Sequence, residues 1–261
     1  MADRRLTGVI FAFAVLLVAA MVWDAVRGDE QAAPPAAPDT ALVVPARAPD
    51  SAAVSRGMTP PSPPQDRYIE QLARAETRRQ LRAGARMTYL NEIVAASNDS
   101  MLHRWDNRIN DPVRVYLGPG LAANYQPAFL DAIRTAFARW QSAGVPVRFE
   151  VSGDTAGAEV VFKWRAQFDI DRTGQTDLTW NQDGHIESAT VTLATFNQLG
   201  QAMGPDEIRV VALHEIGHLI GLDHSPDSTD LMFPVAKVRE LTDRDIETAL
   251  LLYRLTPGSV R

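Results

Sequence analysis

His214-Glu215-Ile216-Gly217-His218-Leu219-Ile220-Gly221-Leu222-Asp223-His224 puts three of the chain's five histidines within eleven residues. His214 and His218 are spaced i and i+4, so on a helix both imidazoles leave the same face about one turn apart. That is the geometry one Zn²⁺ asks of two nitrogen ligands at ~2.0–2.1 Å. Glu215 follows the first of them and leans towards the position the ligands leave open. A carboxylate there can take a proton from a metal-activated water and return it to a leaving amine. A third ligand must come from beyond the helix. Gly221 permits the positive φ that ends a helix and turns the chain, which lets His224 swing back to the same ion. Three neutral imidazoles leave one coordination position open, the mark of a catalytic rather than a closed structural zinc site.

Outward from this stretch, the chain alternates strand and helix signals. A helix opens near Pro205-Asp206-Glu207, with acidic residues at its start as the helix dipole favours. Before it, Thr176–Trp180 and Ile186–Leu193 flank Asn181-Gln-Asp-Gly184, a hairpin signal. Val113–Leu117, Val147–Val151 and Glu159–Trp164 read as strands. Phe129, Ile133, Phe137 and Trp140 recur at helical steps and form one face of a helix that stops near Gly144. A last helix runs from Thr242, a suitable N-cap, to Tyr253.

The N-terminal part has a different texture. Nine of the 17 prolines fall between Pro34 and Pro64, amid alanine and serine, which reads as an extended linker. Before it, Leu6 to Trp23 is an uncharged run of 18 residues preceded by Arg4 and Arg5. As a helix it would cover ~27 Å, near the lower limit for crossing a bilayer. A signal anchor holding the short N-terminus in the cytoplasm fits its length and Trp23. A signal peptide cleaved near Val18-Ala19-Ala20 is the alternative, and both export the rest. Residues 66 to about 98 carry a helical pattern with six arginines between Arg67 and Arg86, read as a solvated spacer or an inhibitory pro-segment. The expected organisation is therefore an anchor over 1–27, a linker over 28–65, a helical segment over 66–102 and a catalytic domain over 103–257.

Composition sets the outer limits. At 261 residues, with 46% hydrophobic and 22% charged residues, wholesale disorder is excluded. A net charge of −6 argues against a nucleic-acid partner. With no cysteine, the chain has no disulfides, no thiol nucleophile and no thiolate metal ligand.

The zinc motif resembles the extended signature of metzincin metalloproteases. Ser225 after the third histidine is similar to the matrixin branch, and Asp230-Leu-Met232-Phe-Pro234 resembles its Met-turn, with Met232 as an apolar floor under the ligands. Ala132–Trp140 and Leu241–Tyr253 resemble the first and last helices of that catalytic domain. The resemblance, to a bacterial, membrane-anchored kind of matrixin, implies an α+β fold of the zincin type. Its twisted five-stranded mixed sheet carries three helices and one antiparallel edge strand, best placed at Thr176–Trp180. It further implies a zinc endopeptidase acting on extended polypeptides outside the cytoplasm, with His214, His218 and His224 as metal ligands and Glu215 as catalytic residue. Gly221, Ser225 and Met232 would support them. A membrane-surface module that holds zinc and peptide without cutting is the alternative, disfavoured by the intact Glu215.

Departures from the family limit what it implies. The cysteine with which relatives plug their zinc is absent here. His185 alone stands where they gather a second zinc, so one catalytic ion is expected. Asp169, Asp171, Asp177 and Asp183 could offer oxygens to Ca²⁺. Ala236 replaces a tyrosine that lines the specificity pocket.

Overall fold

A computed structural model of the chain describes residues 65–97 and 100–260. The apolar run at 6–23 and the linker lie outside the described residues. Among those described, no helix is long and apolar enough to cross a membrane.

The centre of the fold is a five-stranded sheet. Strands β2 (Arg108–Tyr116), β3 (Val147–Ser152), β4 (Val160–Arg165), β5 (Gly174–Trp180) and β6 (Ile186–Ala194) lie in the order β3-β2-β4-β6-β5. The first four run parallel, and β5 pairs antiparallel with β6 at one edge. This is the mixed sheet with an antiparallel edge that the family resemblance implies. Alternation does the sorting: Val113 and Val115 of β2, and Ala189, Val191 and Leu193 of β6, all point inward and are buried. Strand β2 begins earlier than its apolar residues suggest. Its register with β3 shifts between Arg108 and Val113, where Pro112 has no N–H to give the ladder. The β5–β6 turn is tied by Asn181, whose Oδ1 accepts from the backbone of Asp183 and His185 at 3.0 Å.

Two helices, α3 (Ala128–Ser142) and α4 (Pro205–Leu219), pack against one another and the sheet. Helix α3 buries Phe129, Ile133, Phe137 and Trp140 along one face, the stripe read from sequence. It ends before Gly144, whose φ of +86° favours glycine. Trp140 Nε1 donates to the carbonyl of Leu213 in α4 at 2.8 Å, a buried bond that locks the two helices in register. The helix α5 (Asp243–Arg254) starts at Thr242, the N-cap read from sequence, and Asp245 completes a capping box there.

The helical pattern over 66–98 divides into α1 (Gln65–Gly84) and α2 (Leu90–Ala96). The break falls where the chain crosses α5: a Cβ on Gly84 would lie 2.6 Å from Leu251 Cδ2. Tyr68, Ile69 and Leu72 of α1 are exposed. Further along, Leu81, Tyr89, Leu90 and Ile93 enter the same hydrophobic core as the sheet and α5. A two-stranded sheet of β1 (Met101–Leu102) and β7 (Gly258–Ser259) joins the two ends of this body.

Candidate active site

Helix α4 carries the first two histidines and the glutamate. Pro205 opens it without wasting an N–H, and Glu207 reaches back to accept the Gly204 N–H at 2.7 Å. The helix is buried nearly all round in its second half, so its polar residues there need partners. His214 Nδ1 donates to the Leu231 carbonyl at 2.9 Å, and His218 Nδ1 to the Leu222 carbonyl at 2.8 Å. Those bonds fix the tautomers and leave both Nε2 atoms as lone-pair acceptors. Yet the two Nε2 atoms face each other at 3.2 Å. Two acceptors cannot hydrogen-bond; only a Lewis acid between them uses both. Two nitrogens held tetrahedrally at ~2.0–2.1 Å from Zn²⁺ lie ~3.3–3.4 Å apart, so the pair fits that ion.

His224 completes the set. Gly221 adopts φ +102°, and a Cβ there would lie 2.0 Å from the His103 carbonyl oxygen, so both the turn and the close approach require glycine. The His224 ring centroid then sits 4.8 Å from that of His218 and 5.3 Å from that of His214. The ligand atoms of all three lie within 4.8 Å of one another. Burial pushes His214 down to about 4 and His218 down to about 3, with neighbouring imidazoles adding to it, and His224 is lowered for the same first reason. The metal-free triad is thus neutral at physiological pH, with its lone pairs available. Among the described residues this is the one cluster of three that could hold a metal. Asp169 instead pairs with Arg165 at 3.6 Å, and His185 Nδ1 sits 2.7 Å from Asp106 Oδ1.

Met232 is fully buried beneath the helix. A Cβ on Gly217 would lie 2.3 Å from its sulfur, so the glycine inside the histidine motif is what lets the methionine approach. Ser225 donates its hydroxyl to Asp230, and its N–H to the Met232 carbonyl at 2.9 Å. Asp230 also accepts from Arg244 at 2.8 Å. Asp245, wholly buried, accepts from the N–H groups of Leu231, Met232 and Thr242 and from the Tyr89 hydroxyl. Asp230 lies in the Met-turn stretch read from the sequence, but neither carboxylate was given a role there. The Thr242-x-x-Asp245 capping box was the signal for one of them.

Glu215 is 5% exposed. Burial pushes its carboxyl up to about 7, against the opposing pull of the Thr176 hydroxyl at 2.7 Å from Oε2 and of the nearby Arg172. Above it runs β5, whose other edge has no strand partner among the described residues. A cleft of about 960 Å³ lies between, floored by the histidines and Glu215, with Gly174 to Thr176 on its rim and Pro234 to Ala236 on one wall. Met101 and His103 reach it from the N-terminal segment, and His103 stacks on Trp180 with centroids 4.2 Å apart. An extended chain fits such a trough, its backbone satisfied by the free strand edge.

A family model described as Matrixin matches residues 122–254. Metalloendoproteinase 1-MMP of Arabidopsis thaliana is 29% identical over 137 residues, covering 48% of this chain and 37% of that protein. Metalloendoproteinase 1 of Glycine max is 28% identical over 154 residues, covering 49% of this chain and 47% of that protein. The alignments thus take in less than half the length of each of these curated relatives.

Proposed function

The chain belongs to the matrixin family, and on that footing we propose that it is a zinc-dependent endopeptidase that cleaves extended polypeptides. His214, His218 and His224 would hold the ion. One observation carries the reading: two tautomer-fixed imidazoles turn their lone pairs on the same point, a third joins them, and the Glu215 carboxylate stands beside them under a free strand edge.

Zinc, when bound, supplies a Lewis acid that acidifies water and polarises a peptide carbonyl. The chain's own residues do the rest. The edge of β5 pairs with the substrate backbone and holds it extended across the cleft. Glu215 takes the proton of the attacking water on a carboxylate oxygen and delivers it to the scissile nitrogen, which leaves as an amine. Ser225, Asp230 and Asp245 hold the turn that carries Met232 and the carbonyl of Leu231, and that carbonyl orients His214.

The test is zinc analysis of the purified chain with cleavage of denatured casein, with and without a chelator. One zinc per chain and chelator-sensitive cleavage support the reading. Zinc with peptide binding but no cleavage would make the chain a binding module instead. We further propose that residues 6–23 carry the domain to the extracytoplasmic side, as an anchor or as a cleaved signal. N-terminal sequencing of the exported chain separates the two, and recovery of the chain only from the cytoplasm would refute both.

A further inference from the structure

Strand β5 alternates, so Gly174, Thr176 and Leu178 share one face and Gln175 and Asp177 the other. The first face is turned to α4. Thr176 Oγ1 lies 2.7 Å from Glu215 Oε2 and 3.1 Å from the Glu215 carbonyl oxygen. The hydroxyl has one proton, and the shorter contact, to the carboxyl oxygen, is the stronger bond. Two residues back, a Cβ on Gly174 would lie 2.3 Å from Oε1 and 2.7 Å from Cδ of the same carboxylate. One residue of the strand therefore grips one oxygen, and another, by having no side chain, leaves room for the other.

We propose that Thr176 is a positioning residue for Glu215. Its hydroxyl binds Oε2 and selects one rotamer of the carboxylate, while Gly174 keeps Oε1 uncovered for proton transfer. The proposal rests on Glu215 being the proton carrier. It adds that the strand whose edge holds the substrate also places that carrier, so substrate register and proton-transfer geometry are set by one element. A glutamate has several rotatable bonds, and a displacement of ~1 Å at a reacting group can cost ~10²-fold in rate.

The experiment uses the full zinc-loaded chain and a fluorescence-quenched peptide that it cleaves, with kcat, KM, zinc content and melting temperature measured together. Thr176→Val keeps the shape and removes the hydroxyl. Its kcat should fall about 10- to 100-fold, with KM and zinc content unchanged. Thr176→Ser restores the hydroxyl and should recover most of the loss. Gly174→Ala crowds Oε1 from the other side and should lower kcat in the same way, which keeps the proposal open to refutation should Thr176→Val fold poorly. Wild-type kcat in a folded Thr176→Val, zinc loss in proportion to activity or, should Thr176→Val fold poorly, wild-type kcat in Gly174→Ala overturns it. Glu215→Gln run alongside identifies which idea has failed: if it cleaves normally, the proton-carrier reading falls and takes this one with it. If it is inactive while Thr176→Val is normal, only the positioning role falls.

Discussion

Asp245 offers a sharp way to break the support of the site without touching it. Its carboxylate is completely buried at the start of α5. Oδ2 accepts from the Leu231 N–H at 3.0 Å and the Thr242 N–H at 2.9 Å, and Oδ1 from the Tyr89 hydroxyl at 3.0 Å and the Met232 N–H at 3.3 Å. Asp245→Asn keeps the volume, so no cavity forms, but turns one acceptor into a donor. The amide fits best with its NH₂ in place of Oδ1. The Leu231 and Thr242 bonds survive, Tyr89 must rotate to accept, and the Met232 N–H is left facing a donor.

Losing one bond to a charged group, with the remainder reduced to neutral strength, costs about 3 kcal/mol. At ~2–4 °C per kcal/mol for a domain of this size, the melting temperature should drop by roughly 6–12 °C. The loss should reach the metal, because the Met232 N–H that loses its acceptor shares one peptide group with the Leu231 carbonyl that accepts from His214 Nδ1. Outer partners of this kind are worth about 10- to 100-fold in metal affinity. Thermal unfolding and a competition titration against a chromophoric chelator measure both. An unchanged melting temperature with wild-type zinc affinity would refute the chain of support from Asp245 through the Leu231–Met232 peptide to His214.

Two further outcomes follow from single contacts. Gly221→Ala forces a Cβ into the His103 carbonyl at a φ of +102°, and should cost about 2–5 kcal/mol and weaken zinc binding by displacing His224. Denaturant melts with a zinc titration check it. Glu159 is held by Arg108 through two bonds, at 2.8 and 3.1 Å, and accepts the Arg114 N–H at 3.0 Å. Burial pushes its carboxyl up, but these partners outweigh it and leave the value below the ordinary 4.5. A carboxyl depressed in the folded state contributes stability above its unfolded value and loses it as pH falls through the folded one. The melting-temperature gap between wild type and Glu159→Gln should therefore be widest at neutral pH and close below pH 4.5, as scanned by calorimetry.

Local chemistry made much of this molecule legible in its sequence. The i, i+4 histidines, the glycine turn at Gly221 and the stripe of Phe129, Ile133, Phe137 and Trp140 each follow from helical periodicity. The edge placement of Thr176–Trp180 came from the family resemblance together with the hairpin signal at Asn181–Gly184, and the strand pairing agrees. What stayed hidden depends on distant pairings. Asp245 looks like an ordinary capping residue until Leu231 and Tyr89 are brought onto its two oxygens. Thr176 meets Glu215 across 39 residues of sequence. Gly84 closes on Leu251 of α5, a contact that no local pattern encodes.

The most direct test of a zinc-holding triad served by Glu215 is cleavage by the Glu215→Ala chain with its metal content measured in the same preparation. Expected is one zinc per chain with cleavage of casein reduced by at least ~10²–10⁴-fold, the share that a positioned proton carrier contributes. A zinc-loaded Glu215→Ala chain that cleaves at the wild-type rate would contradict it.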